Sequence, residues 1–300
     1  MAADLTSDVD KLGLGTAQFG FDYGVTNSIG KVPELQVREI LGYARDNKIR
    51  ILDTAAAYGD SEAVVGNVAG DWVNFAIVTK TIPVETNDIG AAELKVIAEG
   101  FRSSLRRLRA RSVYGLLVHH GGLLLHRGGD RLCELLALWR RQGLVRKIGA
   151  SVYEGEQALR LSERFPLDLV QLPLSVLDQR ALTDGWLQAL NERGIEVHAR
   201  SVFLQGLLLR EAPLPGRLMR FARVLQQFHD YVAAAGYTPL EAALGFVTRQ
   251  PHVRAALVGV TSVEQLRECT AASLRGCPLD LQRFACTDGE LIDPRRWSAS

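Results

Sequence analysis

The sequence has few cysteines, almost no net charge and no long apolar run, and each deficit argues against a class of protein. The 35 basic and 34 acidic side chains leave a net charge of +1, which gives no electrostatic basis for binding nucleic acid or an anionic membrane. No stretch is apolar over enough residues to cross a bilayer. The four cysteines include no C-x-x-C pair and no histidine at metal-ligand spacing, so we expect free thiols and no bound metal. These cysteines are Cys133, Cys269, Cys277 and Cys286.

The amino-terminal residues also lack the pattern of a secretory signal, because they carry Asp4, Asp8 and Asp10 and no apolar run. We therefore expect a soluble protein in the reducing cytoplasm. Hydrophobic residues make up 47% of the chain and charged residues 23%, a composition typical of a globular protein with a large core.

Eight short apolar runs alternate with segments whose apolar residues recur at helical spacing, such as Val37, Ile40, Leu41 and Ala44. Runs without polar alternation are typical of parallel strands buried on both faces, and parallel neighbours need helical crossovers. Eight such repeats predict an α/β protein of the (β/α)8 TIM-barrel type. The predicted strands are residues 12–15, 49–53, 75–79, 113–118, 147–150, 169–172, 196–200 and 255–260.

We predict a single domain over residues 1–300, because no linker-like stretch or change in composition divides the chain. Residues 213–237 are more than one crossover needs. They therefore predict an extra helical excursion before a helix that begins near Pro239.

Chemically active side chains follow three successive predicted strands. Asp53 and Tyr58 follow the second strand, Lys80 the third, and His119 and His120 the fourth. Barrel enzymes place their chemistry at the carboxyl ends of the strands, so we expect these groups on one rim. A phenol has an unperturbed pKa of about 10 and needs a nearby cation to act as an acid at neutral pH. Lys80 is a candidate for that cation, with Asp53 holding the lysine in its charged form.

This set suits carbonyl reduction without a metal. Hydride would attack the carbonyl carbon while Tyr58 donates a proton to the developing alkoxide and His119 hydrogen-bonds the same oxygen. The Asp53–Lys80 pair is also compatible with an ordinary ion pair at the barrel rim, and of the two histidines we expect His120 to point outside the barrel.

Several motifs together resemble the aldo-keto reductase family. They are Gly13-Leu14-Gly15-Thr16, the run 53–59 with Ser61-Glu62 and Gly66, Lys80 after Thr79, and His119 after Val118. The similarity extends from about residue 12 to residue 268, in family order. It implies an NAD(P)-dependent oxidoreductase of aldehyde, ketone or sugar carbonyls, with a catalytic tetrad. The implied tetrad consists of Asp53, Tyr58, Lys80 and His119.

The resemblance also implies a cofactor site for NADP, with NAD possible. Ser151 and Gln171 match positions that hold the nicotinamide carboxamide. The run 201–206 resembles the loop around the pyrophosphate, where backbone amides near Leu204 and Gly206 would meet phosphate. The segment 259–268 resembles the one that contacts the adenosine. The cofactor residues implied in this way are Gly15, Thr16, Asp53, Ser151, Gln171, Arg200, Ser201, Phe203, Leu204, Gln205, Gly206, Gly259, Thr261, Gln265 and Glu268.

Three positions depart from the family pattern. Val152 stands where an Asn usually contacts the nicotinamide. Arg200 replaces an aromatic residue that often stacks on the nicotinamide ring; its guanidinium either stacks there in turn or forms a salt bridge among the strand ends. Thr261 stands where many members place an Arg against the 2′-phosphate of NADP. This departure leaves the preference between NADP and NAD open.

Two other functions remain open on the sequence alone. One is a barrel lyase in which Lys80 forms a Schiff base with its substrate. The other is a cofactor-binding regulatory or sensor subunit. In the family the carboxyl-terminal tail, here residues 277–300, often folds over the barrel mouth. Trp297 in that tail either walls the substrate pocket or docks on the outside of the barrel.

Overall fold

Eight parallel strands form a closed barrel in which each strand pairs with the next and the last pairs with the first. This arrangement comes from a computed structural model that describes residues 11–24, 27, 29–69, 75–210, 214 and 216–297. The fold is the predicted (β/α)8 TIM barrel. Its strands are β1 (Leu12–Gly15), β2 (Ile51–Asp53), β3 (Ala76–Lys80), β4 (Val113–Val118), β5 (Val145–Ser151), β6 (Leu169–Pro173), β7 (Glu196–Arg200) and β8 (Ala255–Gly259).

Helices cross over between the strands and surround the barrel. Most are amphipathic and turn an apolar stripe towards the strands. Within the described ranges the helices are α1 (Ala17–Gly20), α2 (Glu34–Asp46), α3 (Ser61–Ala69), α4 (Ala91–Arg107), α5 (Gly129–Arg141), α6 (Gly155–Arg164), α7 (Arg180–Thr183), α8 (Trp186–Glu192), α9 (Ala222–Ala234), α10 (Pro239–Thr248), α11 (Val263–Arg275) and α12 (Gly289–Ile292).

The strands are apolar on both faces, which explains why their sequences do not alternate. Side chains such as Leu52 and Leu116 point outwards and join the large cluster that the helices cover. Their neighbours along the strands point into the barrel and fill it. The inner cluster contains Ile51, Val78, Leu117, Leu169, Ala255 and Leu257.

The second strand begins two residues later than predicted. The N–H of Ile49 donates to the carbonyl of Ala44 at 2.9 Å, which closes the turn after α2. Lys48 in that turn has a φ of 63°, a left-handed conformation that does not belong to a strand. The sequence-based prediction placed Ile49 in the strand because it is apolar, although it belongs to the turn.

The predicted helical excursion after the seventh strand is present as α9, which precedes α10. Phe228 of α9 is fully buried and packs edge-on against Phe284 of the carboxyl-terminal tail, with ring centroids 5.5 Å apart. The tail is also tied to the loop after β6, because the N–H of Cys286 donates to the carbonyl of Leu177 at 2.8 Å.

Neither a membrane span nor a metal centre is found in the described part of the chain. None of its helices is long and apolar enough to cross a membrane. Its His, Cys, Asp and Glu side chains form no group of three or more that could hold a metal ion. The four cysteines form no disulfide.

Candidate active site

A cavity of about 640 Å³ opens at the carboxyl ends of the strands. All site residues predicted from the sequence line it except Leu204. Every strand contributes a lining residue at its end or close to it, so the barrel brings together groups that are far apart in the chain. These residues are Gly15, Asp53, Lys80, His119, Ser151, Gln171, Arg200 and Gly259.

A buried ion pair lies at the floor of the cavity. The ammonium of Lys80 is 2.9 Å and 2.8 Å from the two carboxylate oxygens of Asp53, and it also donates to the carbonyl of Thr54 at 2.9 Å. Burial disfavours the charged amine, but Asp53 and the phenol of Tyr58 outweigh that effect and raise the pKa of Lys80 above its ordinary value. Lys80 is therefore a fixed cation, and all three of its protons have acceptors.

Tyr58 lies directly beside this cation, with the Lys80 ammonium 4.8 Å from the centre of its ring. A tight turn holds Tyr58 in place, because its N–H donates to Ala55 at 3.0 Å and its carbonyl accepts from the N–H of Ser61 at 2.9 Å. Helix α1 presses on this turn through Gly20. A Cβ added to Gly20 would lie 1.7 Å from the Tyr58 carbonyl oxygen.

His119 lies across from Tyr58, with the two ring centroids 6.2 Å apart in an edge-on arrangement. Burial, reinforced by Lys80, lowers the pKa of His119 to about 3, so the imidazole is neutral at ordinary pH. Its Nδ1 atom is buried without a hydrogen-bond partner. A neutral imidazole with a spare nitrogen can hydrogen-bond a substrate oxygen.

The expectation that His120 points outside the barrel is wrong. His120 lines the same cavity, and its ring centroid is 4.8 Å from that of His119. The backbone at His120 bends into the short helical turn Gly121–Leu125, so strand alternation no longer governs the two side chains.

Gln171 contacts the Asp53–Lys80 ion pair through one end of its amide and leaves the other end without a partner. Its amide nitrogen donates to Asp53 at 2.7 Å, while its amide oxygen is buried and has no partner. Ser151 is paired with Gln171 across strands β5 and β6 and also lines the cavity. A buried acceptor without a donor is costly, so this oxygen fits the amide group of a nicotinamide ring.

The loop after β7 is strained and lines the cavity. Ser201, Leu204 and Gln205 have φ values of 60°, 47° and 53°, a region that residues other than glycine rarely adopt. Contrary to the sequence-based expectation, the N–H groups of Leu204 and Gly206 are not available for phosphate. They donate to the carbonyls of Ser201 and Phe203 at 2.9 Å and 3.0 Å, because the loop folds into consecutive turns.

Leu204 also has the wrong environment for a cofactor contact through its side chain. It is fully buried among the helices, whereas its neighbour Phe203 lines the cavity.

The salt bridge considered for Arg200 is not formed within the described chain. The Arg200 guanidinium instead donates to the carbonyl of Val152 at 2.8 Å and lies over the ring of Tyr153, 3.9 Å from its centre. Arg295 of the tail covers the same ring at 3.5 Å. Neither Tyr153 nor Arg295 belongs to a motif that is recognisable in the sequence.

The start of α11 forms the far end of the cavity. Ser262 caps this helix by accepting from the N–H of Gln265 at 3.2 Å, and the Gln265 amide oxygen accepts from the N–H of Thr261 at 2.8 Å. Glu268 is the charged side chain that this segment adds to the cavity lining. The segment from Gly259 to Glu268 contributes no Arg or Lys to the cavity lining.

Several other lining residues carry no sequence signal, and the tail supplies two of them. Pro294 and Arg295 line the cavity, whereas Trp297 packs against the main core and its indole donates to the carbonyl of Glu290 at 3.0 Å. No motif marks these positions, because long-range packing of the tail decides them. Further lining residues without a sequence signal are Gln18, Tyr23, Asn27 and Val260.

Comparison with known proteins identifies the class that this barrel and site define. Residues 11–288 match the model of the aldo/keto reductase family, so the chain belongs to that family. It is an oxidoreductase of a family that uses NAD(P)H.

Individual relatives are distant and cover most of the chain. An uncharacterized oxidoreductase of Bacillus subtilis, YrpG, is 27% identical over 88% of this chain and 87% of its own. The NADH-specific methylglyoxal reductase of Escherichia coli is 25% identical over 89% of this chain and 91% of its own. Among solved structures, the holo form of aldo-keto reductase AKR11C1 from Bacillus halodurans has a TM-score of 0.76 at 21% identity, with 95% of each chain covered. That structural likeness supports the fold.

Proposed function

We propose that this protein reduces the carbonyl group of a small aldehyde, ketone or sugar at the rim formed by Asp53, Tyr58, Lys80 and His119. The observation that carries the proposal is the buried Lys80 cation, fixed by Asp53 and placed beside the phenol of Tyr58. An acid that must lose a proton at neutral pH needs such a cation, and a solvent-exposed ion pair would not supply it.

Each residue has a distinct task in this proposal. Tyr58 donates a proton to the carbonyl oxygen, and Lys80 stabilises the negative charge left on the phenol. His119 stays neutral and hydrogen-bonds the same oxygen as its charge develops. Asp53 keeps Lys80 charged and oriented. When bound, the reduced nicotinamide cofactor supplies the hydride that the carbonyl carbon accepts.

The residues that would hold the nicotinamide are Gln171 and Ser151. The unpartnered oxygen of Gln171 would accept a hydrogen bond from the carboxamide, and the amide nitrogen of the same side chain donates to Asp53. Cofactor binding and the catalytic pair therefore share one hydrogen-bonded unit. Of the strained loop, the cavity-lining residues Ser201, Phe203 and Gln205 would contact the pyrophosphate, and the segment from Gly259 to Glu268 would contact the adenosine.

We expect this site to discriminate weakly between the two cofactors and to accept NADH. A 2′-phosphate is usually met by an Arg, whereas Thr261 and Gln265 here bond to each other and Glu268 adds a negative charge. The name of one relative, the NADH-specific methylglyoxal reductase, agrees with the use of NADH.

The Schiff-base lyase hypothesis fits this geometry poorly. An amine nucleophile must be neutral and free, but Lys80 uses all three protons in hydrogen bonds to Asp53 and Thr54, and its pKa is raised. We therefore do not favour this alternative.

A binding and turnover assay tests the proposed function. The purified protein is titrated with NADH and NADPH by fluorescence and then supplied with a panel of aldehydes, ketones and aldoses, with nicotinamide absorbance as the readout. We expect saturable binding and reduction of at least one carbonyl class. Tight binding without turnover of activated aldehydes would favour the sensor hypothesis, and absence of binding would contradict both.

A further inference from the structure

Two arginines flank one tyrosine on the wall of the cavity. The guanidinium carbons of Arg200 and Arg295 lie 3.9 Å and 3.5 Å from the centre of the Tyr153 ring. They are therefore no more than about 7.4 Å apart, the sum of these two distances. All three residues line the cavity that contains Tyr58 and His119.

Stacking on an aromatic ring holds a guanidinium in a fixed orientation. Arg295 donates to Asp293 through Nε and Nη2. Arg200 donates to Ser201 and Val152 through Nη1 and Nη2. Nη1 of Arg295 and Nε of Arg200 therefore remain as donors to a ligand.

The charges around this cluster do not cancel. The cation at Lys80 is matched by Asp53, and Arg295 donates to both carboxylate oxygens of Asp293, at distances that include 2.9 Å and 2.6 Å. Arg200 has no carboxylate within 4.0 Å among the residues that the structure describes. Its contacts are a carbonyl, a hydroxyl and an aromatic ring. A positive charge remains near the reacting end of the cavity.

The proposed reaction does not itself compensate the charge of Arg200. Loss of hydride would make the nicotinamide positive, but Tyr58 becomes negative as it gives up its proton, so these two changes offset each other. The carboxylates of Asp53 and Asp293 are already paired with Lys80 and Arg295. The positive charge of Arg200 is therefore available to a bound anion.

We infer that the carbonyl substrate carries an anionic group, a carboxylate or a phosphate, which binds Arg200 and Arg295 beside Tyr153 while the carbonyl meets Tyr58 and His119. The inference rests on the proposed function. Either anion suits this pair, because a carboxylate or a phosphate has at least two oxygens and can accept one charge-assisted hydrogen bond from each guanidinium.

Matched substrates test the inference. We compare 4-carboxybenzaldehyde with its neutral methyl ester, methyl 4-formylbenzoate, and glyceraldehyde 3-phosphate with glyceraldehyde. The wild-type protein should prefer at least one anionic member by roughly 10- to 150-fold in kcat/KM, the gain typical of hydrogen bonds to a charged group. If the enzyme prefers the anionic member of the benzaldehyde pair only, the site binds a carboxylate. If it prefers the anionic member of the glyceraldehyde pair only, the site binds a phosphate.

Two arginine variants localise the effect. Arg295→Gln should reduce the anionic-to-neutral ratio by about tenfold, mainly through KM, because it removes one donor to the anion. Arg283→Gln is the matched control, since Arg283 lies in the same tail, also lies over aromatic rings (Tyr231 and Phe284) and is not among the cavity-lining residues. It should keep the wild-type ratio.

The outcomes separate the two proposals. Reduction of the neutral aldehydes without preference for either anion, or a preference that survives in Arg295→Gln, overturns the anion site and leaves the reductase function standing. If no aldehyde is reduced, the reductase function fails. Binding of benzoate or phenyl phosphate, with benzamide as the neutral comparison, is then measured by calorimetry on the cofactor-loaded protein. Stronger binding of an anion that Arg295→Gln abolishes supports the site, and equal binding overturns it.

Discussion

At the scale of single residues, the site depends on two groups whose charge states are set by burial. Lys80 is held charged by Asp53 despite its burial, whereas His119 is held neutral because no carboxylate offsets its desolvation. The same cavity thus contains a permanent cation and a neutral hydrogen-bonding ring. Both states are needed if Tyr58 is to donate a proton and His119 is to orient the carbonyl.

The neutral state of His119 predicts a pH dependence of stability. Its folded-state pKa of about 3 lies below the unfolded value of about 6.5. Below pH 6.5 His119 therefore binds a proton in the unfolded chain but not in the folded protein. The free energy of unfolding falls as the pH is lowered towards 3. For this residue the free energy of unfolding changes by at most about 1.4 kcal/mol per pH unit. Because the ring is partly exposed, we expect a smaller change.

Denaturant unfolding at pH 6.5 and pH 5 measures this effect. We expect His119→Gln to lose less stability than the wild-type protein between these two pH values. Equal losses in both proteins would mean that His119 is protonated as readily in the folded state as in the unfolded chain.

Cofactor preference also depends on single residues at the start of α11. Thr261 is nearly buried, so an Arg at that position would have to displace its surroundings, whereas Gln265 is exposed and lines the cavity. Gln265→Arg should raise NADPH affinity by about 1.5 to 3 kcal/mol and change NADH affinity little, since only NADPH carries the 2′-phosphate.

Fluorescence titration with both cofactors checks this prediction. Glu264→Gln is the matched control, because it also raises the net charge by one unit, and Glu264 precedes Gln265 in the chain, is exposed and is not among the cavity-lining residues. A gain for NADPH of the same size in the control would show that general charge, and not a contact at position 265, decides the preference.

At the scale of structural elements, α1 and the turn before α3 act as one support for Tyr58. The hydroxyl of Ser61 donates to the carbonyl of Thr16 at 2.7 Å, which joins the first strand's loop to the start of α3. Gly20 and Gly59 allow the close approach, because a Cβ on either would lie within 2.6 Å of the backbone of the other segment. The sequence motifs at residues 13–16 and 53–62 are therefore in direct contact in the folded protein.

This contact predicts that Gly20→Ala displaces Tyr58. The added Cβ would overlap the Tyr58 carbonyl, so the turn must move, and we expect a loss of both activity and stability. Gly42→Ala is the control, since a Cβ on this glycine of α2 meets nothing within 4 Å. Reduction rates and denaturant midpoints are measured for both variants. A Gly20→Ala protein with the wild-type rate would show that the position of Tyr58 does not depend on α1.

The strands, and the meeting of Asp53, Tyr58, Lys80 and His119 at one cavity, could be predicted from the sequence, whereas the surroundings of these residues could not. Apolar runs marked every strand, but Ile49 belongs to a turn because Lys48 takes a left-handed conformation. Motif spacing located Tyr58 and His119 because their positions follow directly from strand ends. The spacing carried no information on Leu204, whose N–H is used within its own loop.

At the scale of the whole molecule, barrel closure explains why distant segments form one site. Gln171 and Asp53 are 118 positions apart, yet closure brings them to 2.7 Å, so β2 and β6 are joined across the barrel. The tail adds Arg295 to the same cavity. Its position could not be predicted from the sequence, because it depends on contacts such as that between Cys286 and Leu177, which no local pattern encodes.

The rate of the reduction step in Tyr58→Phe tests the central claim most directly. Single-turnover oxidation of the bound reduced cofactor by an activated aldehyde should slow by about 10²- to 10⁴-fold, the usual contribution of a general acid, while cofactor affinity stays close to that of the wild-type protein. Tyr43→Phe makes the same change on α2, at a position that is not among the cavity-lining residues, and should keep the wild-type rate. A Tyr58→Phe protein that reduces the aldehyde at the wild-type rate would contradict the assignment of Tyr58 as the proton donor.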